Sequence, residues 1–305
     1  MAVRLSTYLK EKYGEKVYRL SLSSGCTCPN RDGSAGITGG CTFCSEGGSG
    51  EFAAAFGDVD KQIDEAKKRI SQKTDAKKFI AYFQSYTNTY GDPERLGRLY
   101  KKAIERDDIV ALSLGTRPDC LGQDIMDMLK ELNVIKPVCI ELGLQTVNEG
   151  TAKKIRRGYK LEVFEKAYDA LKNASLMVVV HVIFGLPGET REDMLDTIRY
   201  LSGLKPVLDG IKIQNLQILK GTDMYEEYVS WKESGEKEDL FRIMSMEEYT
   251  DLVAEAVSLL PEKTVVHRMT GDGPRKLLVS PLWSLDKKRV INMLNEKTKG
   301  LFSQT

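Results

Sequence analysis

Four of the six cysteines fall between Cys26 and Cys44, in a polar stretch rich in glycine that carries neither helical nor strand periodicity. A loop of that composition bends to fit a metal centre, and soft thiolates at that density suit zinc or an iron–sulfur cluster. A structural zinc takes four ligands, typically in two close pairs, and the single residue between Cys26 and Cys28 makes an awkward pair. Cys28, Cys41 and Cys44 instead read C-x12-C-x2-C, three thiolates with one metal position open and an aromatic, Phe43, between the last two. Cys26 then reads as a small buried thiol, and Cys120 and Cys139 as isolated structural ones. A zinc-stabilised nucleic-acid-binding protein is the competing reading of the same loop.

The elements that must hold this loop repeat a pattern. Residues 16–24 (KVYRLSLSS) read as a strand leading into it. Asp58 opens a helix with Val59, Ile63, Ala66 and Ile70 on one face, and residues 78–84 (KFIAYFQ) have the content of a buried strand. Asp92-Pro93 is an N-cap and first-turn proline for a helix through Leu96, Tyr100 and Ile104. Strands at 109–114, 138–144, 177–184 and 210–219 alternate with helices through Leu129, Phe164 and Leu195, the last with a capping box at Thr190. Residues 228–244 read as a linker or surface excursion, Ser245 caps a further helix, and 265–272 is a strand or loop dense in polar groups.

Six strands alternating with five amphipathic helices predict parallel βαβ units, with strands apolar on both faces under a cover of helices. The length of 305 residues allows one large unit with a tail, since barrels of this type run to about 250 residues. The 45 basic and 44 acidic residues leave a net charge of +1, which gives no global drive toward nucleic acid or anionic membranes. Nothing reads as a signal peptide or as the roughly 20 apolar residues of a membrane span. The expectation is a cytoplasmic protein with reduced thiols.

Parallel strands present ligands at their C-terminal ends. Those ends carry Gln84, Ser85, Tyr86 and Asn88; Arg117; Glu141 and Gln145; His181 followed by Gly185; and Gln214 and Gln217. So many polar groups on one rim predict an active site, because each one buried without a partner costs about 1–3 kcal/mol.

With these residues in view, the chain resembles the radical S-adenosylmethionine (SAM) superfamily and, within it, the YhcC-like family. The patterns are Cys28-Pro-Asn-Arg-Asp-Gly33, Gly40-Cys41-Thr-Phe-Cys44, Tyr82-Phe-Gln-Ser-Tyr-Thr-Asn-Thr89, Thr116-Arg-Pro-Asp119, Glu141-Leu-Gly-Leu-Gln-Thr146, Gly185-Leu-Pro-Gly-Glu189, Leu219-Lys-Gly-Thr222 and His267-Arg-Met-Thr-Gly-Asp-Gly-Pro274. The resemblance implies a partial (β/α)6 barrel over residues 1–222 with an extension, 223–305, that closes the substrate pocket. It implies a [4Fe–4S] cluster on Cys28, Cys41 and Cys44, whose open iron chelates SAM, and a reductant such as flavodoxin or ferredoxin. It places Gln84, Ser85 and Tyr86 at the SAM amino group, Glu141 and Gln145 at the ribose and Arg157 at the carboxylate. Backbone at Phe43, Phe184, Gly185 and Pro187 would frame the adenine.

The same resemblance implies radical cleavage of a carbon–nitrogen bond that leaves a primary aminomethyl group on a nucleobase. Two substrates fit: the free base queuine, split by a lyase to 7-aminomethyl-7-deazaguanine, or a modified wobble uridine in tRNA. The substrate side is assigned to Asn88, Arg117, His181, Gln214, Gln217, His267, Arg268 and Asp272. Here the chain departs from the family, with Gln214 and Gln217 where histidines are usual, Gly158-Tyr159-Lys160 after Arg157, and Cys26 in place of phenylalanine. Carboxamides suit the edge of a small free base.

Overall fold

The computed structural model describes every residue except 49, 73, 236–239, 304 and 305. Its strands are β1 (Val3–Arg4), β2 (Val17–Leu22), β3 (Lys78–Phe83), β4 (Ile109–Thr116), β5 (Val138–Gln145), β6 (Met177–Phe184), β7 (Gly210–Asn215), β8 (Ile218–Leu219), β9 (Val265–Arg268) and β10 (Leu278–Ser280). Eight of them form one sheet in the order β1-β9-β7-β6-β5-β4-β3-β2, parallel at every pairing, and β8 and β10 form a separate antiparallel pair. The sheet is curled into a partial (β/α) barrel: side chains of β2 and β3 reach those of β5, β7 and β9 across the interior.

Each strand expected from sequence is present, and the helices between them lie where the apolar period puts them. Asp58 accepts from the backbone of Asp60 and Lys61 at the start of helix Val59–Ile70, and Asp92 accepts from Arg95 N at 2.7 Å at the start of Pro93–Ile104. Thr190 and Ser245 form reciprocal capping boxes with Asp193 and Glu248. The sixth strand breaks at Leu216 into β7 and β8. Helix Asp223–Ser234 overlaps the stretch read as a linker; the rest of that expectation falls partly on 236–239, outside the described residues. Helices Leu5–Tyr13, Glu149–Lys154 and Lys287–Lys297 are additional to the expected elements.

The strands are not apolar on both faces. Leu20, Leu22, Phe83, Leu112, Ile140, Leu142, Val180, Val182, Ile211 and Ile213 belong to the large core beneath the helices. Facing inward on the same strands are Arg19, Tyr82, Ser113, Glu141, His181 and Lys212. Below this polar layer Leu9 of the first helix packs on Ile80 and Ala111 and plugs the barrel. The sequence after residue 223 adds β9 to the open side of β7, so the sheet continues into that segment.

Helix Met246–Ser258 buries Tyr249, Leu252, Val253, Ala256 and Val257, and the Tyr249 hydroxyl donates to Met269 O at 2.9 Å just beyond β9. Ser245→Ala removes its N-cap acceptor, and the expected loss is about 1 kcal/mol. A urea titration should show a lower midpoint at unchanged slope; an unchanged midpoint would mean that the cap carries no stability.

Candidate active site

The cysteine loop is held by backbone bonds. Cys28 precedes the short helix Pro29–Asp32; the chain then returns, with Gly40 N donating to Asn30 O at 2.8 Å. Cys44 N donates to Cys41 O at 3.0 Å, which closes the second half. The amide of Asn30 is wholly buried and its Nδ2 donates to Arg156 O at 2.7 Å, Arg157 O at 3.1 Å and Cys41 Sγ at 3.4 Å. That close seat requires Gly158, whose φ is +85° and whose added Cβ would lie 2.5 Å from Asn30 Oδ1. Thr42 ties the loop outward, donating through N to Ile155 O at 3.1 Å and accepting from Met224 N at 2.9 Å.

Cys28, Cys41 and Cys44 line one wall of a cavity of about 420 Å³ at the C-terminal ends of the strands. Burial and the neighbouring Cys44 push the Cys41 thiol up to about 12, so ligation must displace its proton. Among the described residues no three His, Cys, Asp or Glu side chains converge as a single-ion site; the three thiols stand around a shared hollow instead.

The opposite end of the cavity is a buried charge cluster centred on Glu141, which is 1% exposed. Glu141 Oε1 accepts from Ser113 Oγ at 2.8 Å and pairs with Arg19 at 3.3 Å. Its Oε2 meets His181 Nε2 at 2.7 Å and the ammonium of Lys212. Lys212 Nζ also donates to the Tyr82 hydroxyl at 2.9 Å, and Arg19 reaches His267 Nδ1 at 2.5 Å. Burial pushes the Glu141 carboxyl up, but Lys212, Arg19 and His181 outweigh it and hold it well below the usual range. Burial lowers Lys212 to about 7, with Arg19 adding to the shift and Glu141 opposing it. His181 is lowered chiefly by burial and then by Lys212, which favours the neutral ring.

The cavity brings together most residues chosen from sequence: Cys28, Cys41, Cys44, Phe43, Gln84, Tyr86, Arg117, Glu141, Gln145, Arg157, His181, Gln214, Gln217, Arg268 and Asp272. Six lie elsewhere. Asn88 is wholly buried and spends its amide on Phe83 O, Gly115 O and Ser24 Oγ. Ser85, Phe184 and Pro187 are buried, Gly185 donates to Met194 Sδ, and His267 sits behind Arg19. Arg157 touches the cavity, yet it is 1% exposed and its nitrogens serve Tyr159 O, Thr146 O, Leu144 O and Glu149. It holds the wall together. Lys212, Arg19, Tyr82 and Tyr159 were missed; a lone Lys212 between Ile211 and Ile213 was the available signal, since a charge within a buried strand needs a partner.

Comparison with known proteins decides the family. The model of the radical SAM superfamily matches residues 33–201, and that of the Radical_SAM C-terminal domain matches 208–299. The chain belongs to the radical SAM superfamily. It is 40% identical over 297 residues to the uncharacterized protein YtqA of Bacillus subtilis, spanning 97% of this chain and 89% of that one. It is 33% identical over 276 residues to YhcC of Escherichia coli, covering 90% and 85%. A tRNA uridine(34) acetyltransferase of Methanocaldococcus jannaschii is 30% identical over 173 residues, 56% of this chain and 30% of that one. The Elp3 structure from Methanocaldococcus infernus has the same fold, with a TM-score of 0.67 at 19% identity over 93% of this chain and 63% of that one.

A radical SAM enzyme uses a [4Fe–4S] cluster and SAM. The donor set fits: Cys28, Cys41 and Cys44, three soft thiols on the wall of one cavity, would hold three of the four irons of such a cluster. No helix among the described residues is long and apolar enough to cross a membrane. Cys26, 8% exposed, lies outside the cavity in a separate groove with Cys120, its sulfur 3.5 Å from Arg95. Alanine at Cys28, Cys41 or Cys44 is therefore expected to abolish iron and sulfide content after anaerobic reconstitution, while Cys26→Ala retains both. Loss at Cys26 with retention at Cys28 would reverse the ligand assignment.

Proposed function

We propose that this radical SAM enzyme breaks a carbon–nitrogen bond in the side chain of an aminomethyl-substituted nucleobase, with the free base queuine as substrate and 7-aminomethyl-7-deazaguanine as product. One observation carries the reading. Gln214 and Gln217 present two carboxamides to the same cavity, and Nε2 of Gln217 is buried without a hydrogen-bond partner among the described residues. The glycines at 271 and 273 make room for that amide: a Cβ at Gly273 would lie 2.5 Å from Gln217 Oε1. An orphaned buried donor costs about 1–3 kcal/mol, a cost that a bound base carbonyl would cancel.

When bound, the reduced cluster and SAM supply a 5′-deoxyadenosyl radical that takes a hydrogen atom from the substrate carbon beside nitrogen. Cys28, Cys41 and Cys44 hold the cluster in this reading. Phe43, Gln84, Tyr86 and Gln145 frame SAM, and Arg117, His181, Gln214, Gln217, Arg268 and Asp272 receive the base. Glu141 orients the cationic floor. Residues 223–305 act as the closing extension: Arg268, Gly271, Asp272, Pro274 and Lys287 form one side of the cavity and limit water access.

The name of the M. jannaschii relative supports a second reading, in which the base is a modified wobble uridine still within tRNA. The two are separated by incubating reconstituted enzyme, SAM and a reductant such as flavodoxin or ferredoxin with queuine or with undermodified tRNA. Mass spectrometry should find 5′-deoxyadenosine together with 7-aminomethyl-7-deazaguanine in the queuine reaction. Turnover with tRNA alone would replace the free-base reading by the second one.

A further inference from the structure

The interior charge cluster holds more cation than its role as a scaffold requires. Lys212 stands on β7 and faces Arg19 of β2, Tyr82 of β3, Glu141 of β5, His181 of β6, and His267 and Arg268 of β9. Among the described residues Glu141 is the one carboxylate in direct contact with it, and Arg19 shares that carboxylate. Arg268 is neutralised separately by Asp272 at 2.7 Å, and Lys287 also pairs with Asp272. Arg19 and Lys212 thus share one buried anion with the His181 ring, which burial favours in its neutral form, and arginine does not give up its proton. Lys212 is the member that can.

Its placement is that of a working group. The residue is 3% exposed, yet it lines the same cavity as the three thiols, and Tyr82 and Glu141 fix Nζ from two sides. Burial beside Arg19 brings the amine to about 7, where it is partly protonated at neutral pH. A group matched to the working pH is an effective proton donor.

We propose that Lys212 is the catalytic acid that protonates the nitrogen leaving the substrate, a role that rests on the carbon–nitrogen cleavage proposed above. The bound SAM would supply the two-electron oxidation, taking one hydrogen atom and one further electron from the carbon beside nitrogen on its way to methionine and 5′-deoxyadenosine. Water then adds to the iminium carbon, its oxygen forming the new C–O bond and one of its protons passing to solvent, which gives the neutral carbinolamine. The C–N bond then breaks with both electrons on nitrogen. An N–H bond of the Lys212 ammonium breaks with its pair remaining on Nζ, and that proton forms the new N–H of the released amine. The carbinol O–H proton passes to water as the carbonyl forms. Lys212 is left neutral and is recharged from solvent; no electron is exchanged in this step.

The test compares Lys212→Gln and Lys212→Arg in the reconstituted enzyme. Arginine keeps the positive charge beside Glu141 and withholds the proton. Both variants are expected to release the amine product about 10² to 10⁴-fold more slowly, with 5′-deoxyadenosine formation falling far less, so that SAM cleavage uncouples from product. Rescue by Lys212→Arg would overturn the proposal and leave a counter-ion for Glu141. Should neither variant fold, reductive ¹³C-methylation of the wild-type lysines followed by NMR reads Lys212 directly, its signal assigned by its displacement in Tyr82→Phe. A midpoint near neutrality is expected, and a midpoint near the ordinary lysine value would overturn the role. If wild-type enzyme acts on no nucleobase, the substrate reading fails while this titration still reports on Lys212.

Discussion

A single buried carboxylate organises the interior. Glu141 lies at the centre of a parallel sheet whose strands otherwise present apolar side chains to the helices, and it is met by Arg19, His181 and Lys212 from three other strands. An ionised carboxylate at that depth is tolerable only with such partners, and removing one from a buried pair costs about 3–5 kcal/mol. The curl of the sheet is what brings them within reach. β2 and β7 are far apart in strand order, and their cations share one anion across the barrel. The polar interior and the barrel shape are thus one constraint.

That constraint also explains where the chemistry lies. Below the charged layer the first helix seals the barrel with Leu9, Ile80 and Ala111. Above it the strands end in amides and loops, and the cysteine loop folds over this open end through Asn30, Thr42 and Gly158. Three thiols at the top and a titratable amine at the bottom face one hollow. A cluster with one open metal position needs such a neighbour: a cavity that accepts a second molecule and keeps its polar groups fixed before that molecule arrives.

Much of this was legible in the sequence because its signals are local. The βαβ rhythm follows from apolar period, caps and Asp92-Pro93, and the grouping of Cys28, Cys41 and Cys44 at one cavity from their spacing in a glycine-rich stretch. What escaped depends on contacts distant in the chain. Arg19 and Lys212 sit within runs that read as ordinary strands, and only the closed sheet reveals that they share Glu141. Asn88 and Arg157 carry the right chemistry for ligands, but folding consumes it: Asn88 satisfies carbonyls at the ends of β3 and β4, and Arg157 satisfies Leu144 O at the end of β5 and Thr146 O just beyond it. Residues 228–234 of helix Asp223–Ser234 resemble a linker in sequence because the helix is largely solvated; Met224, its buried residue, lies before that stretch.

The central claim is that an incomplete iron–sulfur site and the Glu141 layer bound one catalytic cavity. Iron anomalous scattering from crystals of anaerobically reconstituted enzyme tests it most directly. The account predicts a cluster held by Cys28, Cys41 and Cys44, with its fourth iron free of protein ligands and turned toward Gln84 and Glu141. Iron held by Cys26 or Cys120, or a lone zinc ion closed off by four protein ligands, would contradict it.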